Sequence, residues 1–328
     1  VEITEKLERG SDLTLSEATS IFEAMLDGQL REEHMEKVLI QLADKGETGD
    51  EIAAAARVLQ DRAIRVSGDA GRLLDVVGTG GDSSGSFNIS TGAAILCSLF
   101  LPVAKHGNRA VSSKSGSADV LEELRIPIDL DKAGAEQFLK KKNFVFLFAQ
   151  KFHPAMKAAA PVRRRIGRRT IFNLLGPLCN PAKPDCQMIG VFSTEIMPTY
   201  MHAIEALGIP NVMLVSSYCG LDEVSLSANT VCYHKKGPSV RRFEFDPKEF
   251  GIYASPDAVK GSDPGGNARI MKEVFLGQHI DLRNALAINA AFALCAAEVE
   301  EDIQRAFMLA TETIENGTAY AKLTELMS

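Results

Sequence analysis

Along the first 66 residues, apolar positions recur at three- and four-residue intervals: Ile21 and Met25; Met35, Val38, Leu39 and Leu42; Ile52, Ala55, Ala56 and Leu59. That spacing gathers them on one face of a helix, and no part of the stretch alternates as a strand does. Thr48, with Glu51 three residues on, forms a capping box that opens the last of these helices. The reading is a small domain of about four short helices over residues 1–70. From Leu73 the pattern changes. Short apolar runs at 73–77, 101–104, 144–148, 188–192 and 212–215 alternate with helical stretches, the pattern of a mostly parallel sheet covered by helices on both faces. Segments 230–234 and 240–245 read as a hairpin turned at Lys235-Lys236-Gly237-Pro238. Two long helices, 266–298 with a break near 277–281 and then 299–325, close the chain. The fold class is α/β, with a small N-terminal helical domain and a larger, mostly parallel-sheet domain over 71–328.

Composition narrows the function. With 328 residues and 45% hydrophobic content, the chain can bury one large or two medium cores and is neither disordered nor fibrous. The net charge of −7 argues against a protein that coats nucleic acid. The six cysteines (Cys97, Cys179, Cys186, Cys219, Cys232, Cys295) show no C-x-x-C pair and no histidine at metal-ligand spacing, so they read as reduced core thiols. The apolar run over 285–299 is broken by Asn289 and is too short to span a bilayer. No signal-peptide pattern opens the sequence, and the expectation is a cytoplasmic protein without membrane contact.

Four segments carry chemistry. "DVVGTGGDSSGSFNIST", residues 75–91, joins the end of a strand to the start of a helix through a glycine-rich loop. Exposed backbone N–H groups and the positive end of the helix dipole make such a turn an anion site. It lacks both the G-x-G-x-x-G dinucleotide fingerprint with its later ribose-binding acid and the Gly-Lys-Ser/Thr of a P-loop. "VAKHGNRAVSSKSGSAD", residues 103–119, runs from an apolar strand into cations, amides and small hydroxyls, an anion-binding inventory. "SSYCGLDEVSLS", residues 216–227, places Asp222 and Glu223 side by side after a strand and a glycine turn; beside phosphate, paired carboxylates suit Mg²⁺. Finally, residues 151–181 hold Arg163, Arg164, Arg165, Arg168 and Arg169. That run reads equally as a nucleic-acid patch, a solvated helix face or a set holding one carboxylate-binding fork.

Gly78-Thr79-Gly80-Gly81-Asp82, Asn88-Ile89-Ser90-Thr91, Lys105-His106-Gly107-Asn108-Arg109, Gly116-Ser117-Ala118-Asp119, His153-Pro154-Ala155-Met156, Pro161-Val162-Arg163-Arg164 and Leu221-Asp222-Glu223 stand in one order. In that order and spacing the chain resembles the anthranilate phosphoribosyltransferases of the tryptophan pathway over nearly its whole length. The resemblance implies a nucleoside-phosphorylase-like fold, of the third class of phosphoribosyltransferases, with part of 155–185 joining the helical domain. It further implies a homodimer through that domain and Mg²⁺-dependent use of 5-phosphoribosyl 1-pyrophosphate, with anthranilate as acceptor. Carried over by position, Gly78, Gly81, Asp82, Ser86, Asn88, Ile89, Ser90, Thr91, Lys105, His106, Gly107, Asn108, Arg109, Ala110, Val111, Ser112, Ser113 and Ser117 resemble the donor site. Ser90, Asp222 and Glu223 resemble the metal ligands. Gly78, Asn108 and Arg163 resemble the anthranilate contacts, with His106 and His153 beside them. No residue is assigned as a catalytic acid or base. Departures are modest: Ser86 stands where threonine is common, and Ala158 to Ala160 are blander than usual.

Two rivals stand against this reading. A pyrimidine nucleoside phosphorylase of the same fold would use phosphate and a nucleoside, and the 105–109 motif and the acid pair argue against it. A non-catalytic nucleic-acid binder would use the basic 157–169 segment; the acidic total and the intact metal and donor motifs argue against that.

Overall fold

The computed structural model describes residues 2–68, 71–81, 85–110 and 114–328. Asp82, Val111, Ser112 and Ser113 of the expected donor site lie outside the described residues. The chain opens with α1 (Glu2–Glu8), α2 (Leu15–Leu26), α3 (Glu32–Lys45) and α4 (Gly49–Asp61), the four helices read from periodicity. Both α2 and α4 start at full capping boxes, Thr14 with Glu17 and Thr48 with Glu51.

A seven-stranded sheet follows. Its strands are β1 (Leu74–Gly78), β2 (Val103–Gly107), β3 (Phe144–Phe148), β4 (Cys186–Gly190), β5 (Asn211–Ser217), β6 (Thr230–Lys236) and β7 (Ser239–Phe245), in the spatial order β3-β2-β1-β4-β5-β6-β7. The first five run parallel and the last two add antiparallel. The hairpin turns on Gly237-Pro238 alone; Lys235 and Lys236 lie in β6. Helices α5 (Ile89–Cys97), α6 (Ser117–Glu123), α7 (Lys132–Lys142), α8 (Ala149–Phe152), α9 (Met156–Ile166), α10 (Phe172–Leu175) and α11 (Met197–Leu207) connect the strands. The chain closes with four helices rather than two: α12 (Pro264–Phe275), α13 (Ile280–Ala296), α14 (Ile303–Glu315) and α15 (Thr318–Leu326). The second expected helix breaks where Gly317 takes φ +80°.

Side-chain alternation sorts the sheet's two faces. Val76, Met188, Met213 and Val215 face α5 and α12–α15 in one core. Val77, Ile189, Val212 and Leu214 face the N-terminal helices together with Val162, Phe172, Leu175 and α11 residues such as Tyr200 in another. Five cysteines are buried; Cys219, expected in the core, is exposed because its turn stands clear of the sheet. No helix of the described residues is long and apolar enough to cross a membrane.

Candidate active site

Parallel strands bring the loops after β1, β2, β4 and β5 to one edge, where ligands of such sheets bind. The glycine-rich loop leaves β1 at Gly78. A Cβ there would lie 2.4 Å from Asp222 Oδ2, so only glycine lets the acid approach. Gly80 and Gly81 take φ +66° and +71°, and Gly80 N–H donates to Asp222 Oδ2 at 2.7 Å. At the N-terminus of α5, Ser90 N–H donates to Glu223 Oε1 at 3.1 Å. The acid pair, 130 residues and more from these loops in sequence, thus borders both. Gly190, which the motif reading missed, makes this possible: a Cβ there would fall 1.5 Å from the Asp222 carbonyl oxygen.

Strand β2 runs further than its apolar stretch predicts, through Lys105, His106 and Gly107, so these residues sit on the strand and not in a loop beyond it. Lys105 is 2% exposed; its Nζ donates to Val76 O at 2.6 Å and to Ser90 Oγ at 3.4 Å. Burial lowers its pKa, and the charges of Asp75, Glu223 and Asp222 oppose the fall. Asp75, next to Val76 in β1, points to the opposite face of the sheet. Its carboxylate accepts from His106 N–H at 3.2 Å and Asn180 Nδ2 at 2.8 Å, and burial pushes its pKa up to about 6 against the pull of Lys105, Asn180 and that N–H.

The neighbouring loops are laced together. Asn88 donates to Ser115 O at 3.2 Å and accepts from Asn267 Nδ2 at 2.8 Å. Asp119 accepts from Ala110 N–H and Gly116 N–H, each at 2.9 Å, and so ties the two ends of the 110–116 loop together. Ser117 Oγ donates to Asn108 O at 3.3 Å, over Gly107. Ser86 bridges to Lys260, and Ile89 and Thr91 are buried at the start of α5. Asn108 is exposed. Arg109 pairs with Asp119 at 3.0 Å and Glu122 at 2.8 Å, which commits its fork to the loop's own support.

On the other face of β2, His106 Nδ1 meets Gly176 O at 3.0 Å and the ring lies 5.1 Å from that of His153. Opposite a carbonyl, Nδ1 carries the proton and Nε2, buried and without a partner among the described residues, is left as an acceptor. Burial pushes His106 down to about 3, helped by His153 and Lys105. It pushes His153 to about 4; carbonyls of Leu59 and Cys179 offset part of that fall without making an aligned hydrogen bond. Both rings are neutral at pH 7.

The five arginines of 163–169 divide. Arg165 pairs with Glu36 and Glu32 at 2.5 and 2.9 Å, and Arg168 with Asp44 at 2.6 Å, which fastens the end of α9 to α3. Arg164 is exposed, and Arg169 stacks 3.7 Å over Phe192 beside Gly81. Arg163 alone is half-buried with no ion pair among the described residues, its guanidinium 5.4 Å over Phe172, and burial lowers its pKa. Pro161 stands in the interior of α9 and does not start it; the helix begins at Met156. Two of the five arginines are thus spent on helix contacts and two stack on aromatic rings.

The family model described as glycosyl transferase family, a/b domain, matches residues 70–320, and that for the helical bundle domain of the same family matches 1–63. The anthranilate phosphoribosyltransferase of Roseiflexus castenholzii is 43% identical over 324 residues, covering 98% of this chain and 95% of that one. The chain belongs to the anthranilate phosphoribosyltransferase family. Its fold agrees: the crystal structure of the Thermus thermophilus member superposes with a TM-score of 0.91 at 35% identity, covering 100% of this chain and 98% of that one. The Saccharomyces cerevisiae member, solved in complex with PRPP and Mg, gives 0.91 at 26% identity, covering 99% and 96%.

Among the described residues no three His, Cys, Asp or Glu side chains cluster as a closed metal site. Two carboxylates and a serine beside a phosphate loop fit Mg²⁺ instead, which takes few protein ligands and fills its shell with phosphate oxygens and water.

Proposed function

We propose that the chain transfers the 5-phosphoribosyl group of 5-phosphoribosyl 1-pyrophosphate to the amine of anthranilate, giving N-(5-phosphoribosyl)anthranilate and pyrophosphate in tryptophan biosynthesis. The observation that carries the reading is the meeting of Asp222 and Glu223 with the N–H groups of Gly80 and Ser90, which gives phosphate and its cation one place. The yeast relative's complex with PRPP and Mg supports it.

In this reading Gly78, Gly81, Ser86, residues 88–91, residues 105–110 and Ser117 surround the donor. Ser90, Asp222 and Glu223 hold Mg²⁺, which when bound neutralises charge on the departing diphosphate. Lys105, under Ser90, adds fixed positive potential from below without leaving the strand. The fork of Arg163 takes the anthranilate carboxylate, and Gly78, Asn108, His106 and His153 line the acceptor's place. An aromatic amine is unprotonated at neutral pH, so placement is the chain's main contribution and no general base is required. The chain acts as a homodimer through its helical domain, in the cytoplasm, with residues 1–70 and part of 155–185 forming that domain.

Pyrophosphate release tests the function. Release that requires donor, Mg²⁺ and anthranilate together is expected; release without anthranilate, or phosphorolysis of a pyrimidine nucleoside in its place, overturns it.

A further inference from the structure

Asn289 interrupts an otherwise apolar stretch in the middle of α13 and is 1% exposed. Its side chain spends both donors and accepts one bond: Oδ1 accepts from Val224 N–H at 2.9 Å, and Nδ2 donates to Val224 O at 3.0 Å and to Ala285 O at 2.9 Å. Val224 follows Asp222 and Glu223 directly. Gripping the N–H and C=O of one residue, as a neighbouring strand would, fixes both the position and the orientation of the backbone there. The third bond ties the amide to its own helix turn and holds its rotamer.

The same helix supports the third expected ligand. Gly92 of α5, two residues after Ser90, lies directly on α13; a Cβ at Gly92 would come 2.6 Å from Leu286 Cδ2. Helix α13 also packs behind β4 and β5. One rigid, buried helix thereby sets the acid loop and the N-terminus of α5 relative to each other.

We propose that Asn289 is a positioning residue for the metal-bound donor: by anchoring Val224 it sets where Asp222 and Glu223 present their carboxylates opposite Ser90. This rests on the reading of Ser90, Asp222 and Glu223 as metal ligands. A buried amide that only satisfied a loop would contribute to stability and nothing else.

The two roles separate in a titration of Mn²⁺, followed by its paramagnetic resonance signal, with 5-phosphoribosyl 1-pyrophosphate present and anthranilate absent. Asn289→Leu is close in shape and removes all three bonds, and should weaken Mn²⁺ by about tenfold or more, the scale on which partners of metal ligands act. Phe292→Leu, on the same helix but packed against Phe243 and Phe245, should lower thermal stability without moving Mn²⁺ affinity. Asp222→Asn must lose Mn²⁺; if it does not, the metal reading itself fails. If it does while Asn289→Leu keeps wild-type affinity, or while Phe292→Leu shifts it equally, the role of Asn289 is purely structural and the proposal is wrong. Should Asn289→Leu not fold, Asn289→Asp, which keeps the acceptor and loses both donors, is read in the same way. In the wild-type chain, the Val224 amide should exchange with deuterium as slowly without Mg²⁺ and donor as with them. Protection that appears only on adding them would make the ligand the organiser and overturn the proposal.

Discussion

Lys105 and His106 are adjacent in β2 and point to opposite faces of the sheet, and the two sides they serve differ in kind. Toward α5, the proposed donor side balances charge: Lys105, with Asp222 and Glu223 above and N–H groups of Gly80 and Ser90 between. Toward His153, the proposed acceptor side holds less charge: two histidines kept neutral by burial, the Asp75 carboxyl raised to about 6 by burial and bound by Asn180, and one guanidinium, Arg163, over an aromatic ring. In the proposed reading, a strand's two-residue period is enough to separate a site for a polyanion from one for a small aromatic acid. On that reading the difference teaches that charge density, more than shape, divides the two substrates.

The comparison breaks most directly at the acid pair. Asp222→Asn with Glu223→Gln removes two charges at constant shape and should lower kcat/KM by about 100-fold or more, with the remaining rate rising only at much higher Mg²⁺, since metal stabilisation of this kind is worth several kcal/mol. An unchanged magnesium dependence in initial rates would remove the donor side from the comparison. Arg163→Ala should raise KM for anthranilate about 10- to 150-fold, the equivalent of one charge-assisted hydrogen bond of about 1.5–3 kcal/mol, while donor affinity holds. Arg165→Ala, whose fork is spent on Glu32 and Glu36, should leave both constants near wild type; equal effects would make Arg163 part of a general basic face. Gly190→Ala should displace the Asp222 carbonyl and cost about 1–3 kcal/mol of stability by overpacking, with a rise in donor KM measured alongside the unfolding midpoint.

The smallest effect on activity is a pH effect on stability. His106 and His153, held at about 3 and about 4 against an ordinary 6.5, bind protons more readily unfolded. Their contribution is complete above about pH 6.5 and is lost as pH falls through those lower values. Asp75, raised to about 6, acts in the opposite sense and favours the fold at lower pH. Urea unfolding of His153→Gln at pH 7 and pH 4.5 should show a smaller acid loss than wild type; an equal loss would mean that His153 is not held neutral.

Much of this was readable from the chain because its signals are local. Apolar runs located the strands, Thr48 with Glu51 marked α4, and the glycine loop marked the C-terminal end of β1. What escaped has partners far away in sequence. Gly190 and Asn289 look ordinary until the acid loop arrives against them, and Asn180 until Asp75 lies beside it. Lys105 was legible as a cation at a strand's end but not as a buried one, because only the length of β2 decides which side of the sheet closes over it. The start of α9 was not legible either: proline favours a first turn, yet Pro161 stands in the interior of a helix that already runs from Met156.

The bonds that assemble the site also fix when it can exist. Gly80 meets Asp222 across 142 positions, Ser90 meets Glu223 across 133, and Val224 is anchored by a residue 65 further on. Pairings of such separation close late, after the entropy of long loops has been overcome. On the ribosome, the glycine loop and the 105–109 motif are made long before their counterparts, and the pocket has no floor until α13 has emerged. A nascent chain halted before residue 289 carries nearly every motif of the site and should still be unable to hold its donor.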